Sequence, residues 1–122
     1  MFKLSHLAIV VKDSELSKDY YCKVLGCSVL KRMANEELKF IYLQTGNLTI
    51  ELLEYLASPP ILRGAGVYDH LAFTVPDLES ALAKLKEQGI KFESDAPRIT
   101  TNGKKIIFCS GPDGERIELM EE

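Results

Sequence analysis

Apolar positions along the chain follow two periods in turn, and the whole series is run through twice. Leu4 to Val11 is a nearly continuous apolar run, the pattern of a strand covered on both faces. Leu16, Tyr20, Tyr21, Val24 and Leu25 then recur at helical spacing. Asp13 or Ser14 can cap that helix, and Gly26 stops it. Strand patterns follow near Ser28–Met33 and Leu38–Leu43, and Gly46-Asn47 turns the chain into a fourth, Leu48–Leu53. A flexible stretch from 57 to 66, with Pro59-Pro60, Gly64 and Gly66, breaks the pattern.

The series then restarts. Asp69–Val75 reads as a strand. Pro76-Asp77 opens a helix with Leu78, Ala81, Leu82 and Leu85 on one face, and Gly89 ends it. Strands are predicted over Ile90–Glu93, Lys105–Cys109 and Arg116–Met120, with turns at Asn102-Gly103 and Pro112-Asp113-Gly114. Each half is β-α-β-β-β, and helices alternating with antiparallel hairpins define an α+β class. Two copies are too few, and each too long, for a solenoid. The 122 residues suit one compact domain, 1–122, and either half alone would be marginal. We therefore read two modules sharing a core: about 1–56 and about 67–122, joined by the linker at about 57–66.

The duplication reaches individual words. His6-Leu7-Ala8 returns as His70-Leu71-Ala72, and Ile50-Glu51-Leu52 returns as Ile117-Glu118-Leu119. Strand side chains alternate between faces. His6 therefore shares a face with Leu4, Ala8 and Val10, opposite the bulkier Leu7, Ile9 and Val11. His70 goes with Ala72 and Thr74, opposite Leu71, Phe73 and Val75. Each His is thus on the less bulky face, followed two residues on by an Ala that leaves room beside it. Glu51 and Glu118 point away from Ile50/Leu52 and Ile117/Leu119 respectively. One His in a strand is ordinarily a hydrogen-bonded structural residue, and one Glu ordinarily faces water. Two of each, in matched register, form a set suited to a divalent metal. Keeping them on faces that can be buried is costly without a charge partner.

Composition narrows the function. Net charge is −3 and no basic run tracks a phosphate backbone, which argues against nucleic acid. No apolar stretch is long enough for a membrane span, and Met1-Phe2-Lys3-Leu4 leads directly into a strand pattern rather than a signal peptide. Cys22, Cys27 and Cys109 are odd in number and contain no Cys-x-x-Cys, which fits reduced thiols in a cytoplasmic protein.

The duplicated βαβββ pattern with its paired His and Glu resembles the vicinal-oxygen-chelate superfamily, which includes glyoxalase I, methylmalonyl-CoA epimerase, extradiol dioxygenases and fosfomycin- or bleomycin-resistance proteins. The resemblance spans nearly the whole chain. It implies paired modules curled into an incomplete barrel around a metal, with ligands at His6, Glu51, His70 and Glu118. A His/Glu/His/Glu set looks like bacterial glyoxalase I (lactoylglutathione lyase). The resemblance then implies a metal-dependent lyase that isomerises a methylglyoxal–thiol hemithioacetal to a 2-hydroxyacyl thioester through an enediolate. Glu118 is the main candidate for the base, with Glu51 the second. Two imidazoles and two carboxylates neutralise a divalent ion. A six-coordinate Ni²⁺ or Co²⁺, or an expanded Zn²⁺ site, keeps two positions for neighbouring substrate oxygens. A second carboxylate would occupy a position that an iron dioxygenase leaves open, which disfavours that branch.

The chain departs from glutathione-using glyoxalases at two positions: Val10 stands where they tend to carry Arg, and Tyr55 where they tend to carry Asn. Another thiol, or coenzyme A, is the expected carrier, although Arg63 or Lys104 also offers charge for carboxylates. Glu51-Leu52-Leu53-Glu54 and Gly103-Lys104-Lys105 look like stretches of the epimerases, and Glu36 or Glu37 falls near their other catalytic carboxylate. A methylmalonyl-CoA epimerase-type isomerase is thus the alternative, and a non-enzymatic binding or resistance protein the second. Paired lysines beside a turn are also ordinary hairpin chemistry. The expected partners are a small thiol adduct or acyl-CoA and a second copy in a homodimer.

Overall fold

The computed structural model describes residues 1, 3–56, 66, 68–101 and 103–122. Two compact units divide the chain, Met1–Leu62 and Arg63–Glu122. The predicted breakers Pro59-Pro60 and Gly64, and Asn102 of the second hairpin, lie outside the described residues, as does Arg63.

The first unit holds β1 (Leu7–Val10), α1 (Ser14–Lys23), β2 (Ser28–Ala34), β3 (Leu38–Thr45) and β4 (Leu48–Tyr55). Its sheet runs in the order β1-β4-β3-β2. β1 pairs with β4 in parallel, and the other pairings are antiparallel. The second unit repeats the plan with β5 (Leu71–Val75), α2 (Leu78–Glu87), β6 (Arg98–Ile99), β7 (Lys105–Ser110) and β8 (Arg116–Glu121), in the order β5-β8-β7-β6. Both are open, mixed four-stranded sheets with one helix each, the α+β plan read from the sequence.

Each helix starts on an aspartate. The Asp13 and Asp77 side chains accept hydrogen bonds from the backbone N–H of Leu16 and Ser80, at 3.0 and 3.1 Å. A carboxylate from the last strand of the same unit then takes the first helical N–H. Glu54 Oε1 accepts from Ser14 at 2.6 Å, and Glu121 Oε2 accepts from Leu78 at 3.0 Å. Free N–H groups at a helix start carry partial positive charge, so acids suit both places. Gly89, at φ 82°, closes α2: its N–H reaches Lys86 O at 3.0 Å, and the next N–H, from Ile90, reaches Leu85 O at 3.0 Å.

Several expectations are corrected. β1 is shorter than the apolar run and is not covered on both faces, since Ala8 is exposed and Leu4 more so. Among the described residues it pairs with β4 at one edge of its sheet. The inner face of α1 is Ser14, Ser17 and Tyr21, while Leu16 is 57% exposed. Small serines bring the helix close to its sheet, and that turns Leu16 outward. α2 keeps the predicted face, with Leu78, Leu82 and Leu85 buried. The strand predicted at Ile90–Glu93 is only a single bridge, Phe92 to Cys109, backed by Glu93 N–H to Phe108 O at 2.9 Å. Pro97 has no N–H to give a ladder, and regular pairing resumes after it as the two-residue β6. Of the cysteines, Cys27 and Cys109 are buried and Cys22 half-buried, and none of the three is in a disulfide.

The core of each unit lies on one side of its central strands. Ile50 and Leu52 of β4, and Ile117 and Leu119 of β8, are buried almost completely. Glu51 and Glu118 lie between them and point to the other side.

Candidate metal centre

Sheet register determines what surrounds each glutamate. Partners across a ladder point to the same side. Glu51 is flanked by Ala8 on β1 and Tyr42 on β3. Glu118 is flanked by Ala72 on β5 and Phe108 on β7. His6 and His70 stand just before β1 and β5, two residues ahead of those alanines, on the same faces. Because the alanines are small, the imidazoles reach the carboxylates: His6 Nε2 is 2.9 Å from Glu51 Oε2, and His70 Nε2 is 2.8 Å from Glu118 Oε2. The two glutamate side chains are well covered, at 12% and 11% exposed.

The other ring nitrogen is also engaged in both pairs. His6 Nδ1 lies 2.9 Å from Ser5 Oγ, and His70 Nδ1 lies 2.7 Å from Asp69 Oδ2. Asp69 in turn accepts from Arg116 Nη1 at 3.2 Å. The same guanidinium holds Glu93 through Nε and Nη2, each at 3.1 Å. The His70 contact, then Arg116, keeps the Asp69 carboxyl below its ordinary range. Arg116 does the same for Glu93.

These contacts fit a cation. A neutral imidazole donates at one nitrogen only. If His70 gives Nδ1–H to Asp69, its Nε2 presents a lone pair to a carboxylate oxygen at 2.8 Å. Two acceptors face each other there, and a metal ion accepts both. An imidazole whose far nitrogen is held by a carboxylate is the usual supported metal ligand.

An aromatic ring packs edge-on against each histidine. The centroids are 5.7 Å apart for His6–Tyr42 and 5.3 Å for His70–Phe108. A cation covers each ring, Lys31 over Tyr42 and Arg116 over Phe108. Tyr42 lies directly across the ladder from Glu51. The neighbouring Glu51 carboxylate, with burial second, holds the phenol above its ordinary range, because an anionic acceptor disfavours a second negative charge.

The structure thus joins the predicted site residues in twos, His6 with Glu51 and His70 with Glu118. Among the described residues no group of three or more His, Cys, Asp or Glu is gathered as a metal cluster. Glu36 and Glu37 sit at the exposed turn between β2 and β3. Lys105 forms an ion pair with Glu79 at 3.8 Å, the ordinary behaviour of a lysine near a turn. Ser5, Asp69, Tyr42 and Phe108 were not singled out in the sequence. A polar residue directly before each His was the available signal for the first two. The aromatic pair needs the strand register.

Comparison with known proteins agrees with this architecture. The pattern of the Glyoxalase/Bleomycin resistance protein/Dioxygenase superfamily matches residues 3–119, and the chain belongs to that superfamily. Among relatives, it is 31% identical over 129 residues to mitochondrial methylmalonyl-CoA epimerase of Mus musculus, covering 98% of this chain and 72% of that protein. It is 30% identical over 126 residues to lactoylglutathione lyase of Escherichia coli O157:H7, covering 98% and 93%. A solved glyoxalase family protein from Enterococcus faecalis superposes with a TM-score of 0.81 at 31% identity, covering 98% and 97%.

Proposed function

We propose that this protein is a metal-dependent lyase of the glyoxalase I type, isomerising the hemithioacetal of methylglyoxal and a thiol to a 2-hydroxyacyl thioester. The observation that carries the reading is the matched pair of buried glutamates, each facing an imidazole Nε2 whose Nδ1 is already engaged. In this reading His6, Glu51, His70 and Glu118 hold one divalent ion, the two pairs coming from one chain or from two copies. Ni²⁺ or Co²⁺ suits the set best and Zn²⁺ is compatible; the ion supplies Lewis acidity to two neighbouring substrate oxygens.

The chain's own residues do the proton work. Glu118 takes the proton from the carbon bearing sulfur and returns it to the adjacent carbon, while the hydroxyl proton passes from the first oxygen to the second, so atoms balance without an outside oxidant or reductant. Glu51 stays in place as a ligand. Ala8 and Ala72 leave space over the carboxylates for the reacting carbons. Asp69, secured by Arg116, orients His70.

Val10 and the exposed Tyr55 offer glutathione no charge, so another thiol is the expected carrier. A second reading, epimerisation of an acyl-CoA, uses the same proton transfer next to a thioester carbonyl. The match to the mouse epimerase favours it. The protein is expected to act as a cytoplasmic homodimer.

One comparison tests the reading. Protein purified without chelator is assayed on methylglyoxal hemithioacetals of glutathione, coenzyme A and other low-molecular-weight thiols, and on methylmalonyl-CoA. Turnover of a hemithioacetal other than glutathione's is expected. Activity on glutathione's alone, at low micromolar KM, would sink the thiol assignment. Activity on methylmalonyl-CoA alone would select the epimerase.

A further inference from the structure

A row of side chains crosses the first unit's sheet on the Glu51 side and ends on a lysine. Partners across a ladder point to the same side, so Ala8, Glu51, Tyr42 and Lys31 line up across β1, β4, β3 and β2. A bulge puts the lysine there. Ser28 and Val29 pair with Gln44 and Leu43, which in unbroken register would set Leu30 against Tyr42. The ladder instead shifts by one residue and sets Lys31 there. Bulges re-aim side chains in this way, often beside active sites. Lys31 Nζ lies 4.6 Å from the Tyr42 ring centroid, and the same ring meets His6 edge-on, with centroids 5.7 Å apart. The next row along the strands, Val10, Leu53, Phe40 and Met33, is apolar throughout. The second unit has a matching cation with a different fate. Arg116 covers Phe108 at 3.8 Å, but its guanidinium is held by Asp69 and Glu93. Arg32, next to Lys31, is likewise taken by Glu15 at 2.7 Å. Among the described residues no carboxylate is ion-paired with Lys31. It is an exposed cation on the Glu51 side whose charge the protein does not neutralise.

We propose that Lys31 is a specificity-determining residue that receives an anionic terminus, carboxylate or phosphate, on the substrate's thiol, with Tyr42 and Phe40 as the floor under an apolar stem. The inference rests on the hemithioacetal reading above and deepens it by naming the chemical class of the thiol. Two strand spacings, roughly 10 Å, separate the backbones of Glu51 and Lys31. A substrate held at the His6–Glu51 pair therefore needs a stem of several carbons to bring its charge to the ammonium. A shorter acid would end over the Tyr42 ring, whose face repels an anion. The ammonium is a compact point charge with three donors, so it takes a carboxylate or a phosphate.

The test uses methylglyoxal hemithioacetals of thiols that share one stem: mercaptohexanoate, its methyl ester, mercaptohexyl phosphate and aminohexanethiol, with mercaptoacetate as the short acid. At least one long acid is expected to exceed the ester in kcat/KM by about tenfold, the worth of one hydrogen bond to a charged group. The gain should appear mainly in KM, because the contact is the same in ground state and transition state. Which long acid shows it identifies the anion. Lys31→Met should bring acids and ester to parity, Lys31→Glu should favour the amine, and Arg32→Met should keep the parental order. Mercaptoacetate should be indifferent to Lys31, and added salt should shrink the preference. A parent that treats both long acids and the ester alike, or a Lys31→Met variant that still prefers an acid, overturns the proposal and leaves the reaction standing. The second readout needs no turnover: titration calorimetry with the unreactive S-methyl thioethers of the same thiols. If the parent turns over no hemithioacetal, the proposed reaction falls, and the thioethers still decide the role of Lys31. Tighter binding of an acid than of the ester, lost in Lys31→Met, supports it; equal binding overturns it.

Discussion

At the scale of the residue, the histidines carry the first expectation. His70→Ala deletes the nitrogen facing Glu118 and leaves the buried Ile117/Leu119 side of the strand untouched. Metal content should fall sharply while the circular dichroism spectrum is kept; a variant with parental metal would refute the ligand assignment. The glutamates carry the second. Glu118→Gln keeps an oxygen of nearly the same shape and removes the proton acceptor, so kcat should drop on the order of 10²-fold or more at full metal occupancy. Glu51→Gln should cost less. Equal large losses would mean that the carboxylates share the proton. These four residues stand out in the sequence because each half carries one His and one Glu in the same order. Asp69 and Ser5 do not, because a polar residue next to a His has no assigned direction until the backbone enters the strand. Tyr42 was hidden further, since it is tied to Glu51 only by the β3–β4 ladder.

At the scale of the element, helix starts were read correctly and one helix face was not. Asp13 and Asp77 cap as their spacing predicts. The inner face of α1 is made by serines, whose hydrophobic signal is weak, so a pattern of apolar residues pointed to Leu16 instead. Close packing here follows from small volume and not from apolarity. The caps also set a pH dependence. The Ser80 backbone N–H, then its hydroxyl, holds the Asp77 carboxyl below its ordinary range. A depressed folded-state pKa contributes stability above the ordinary aspartate value, near pH 4, and that contribution is lost as pH falls through the lower folded value. The unfolding midpoint of Asp77→Ala should therefore lie below the parent's at pH 7, and the gap should narrow below about pH 4. An unchanged gap at pH 3 would show that the cap's charge contributes nothing.

At the scale of the whole molecule, the repeated β-α-β-β-β order was the strongest signal, because four strand periods and one helical period recurred in the same sequence twice. What the pattern missed was the replacement of one strand by a bridge and the two-residue β6; a run of apolar residues does not show whether its N–H groups find a ladder. Sedimentation equilibrium is expected to return twice the 13.7 kDa mass of the chain. A monomer at working concentration with full activity would show that one chain supplies both His–Glu pairs.

The parallel pairing of β1 with β4 also bears on how the chain is made. β1 is made before the other strands of its unit and, among the described residues, pairs with β4, the last of them. His6 therefore waits through the synthesis of a helix and a hairpin before Glu51 arrives beside it. The closing of that long loop completes the sheet and the His–Glu pair in the same event. The second unit meets the same condition with β5 and β8. A nascent chain released before β8 is made would carry one finished pair and one histidine without its glutamate. On the proposed ligand set, full metal uptake is expected only after the last strand has been added.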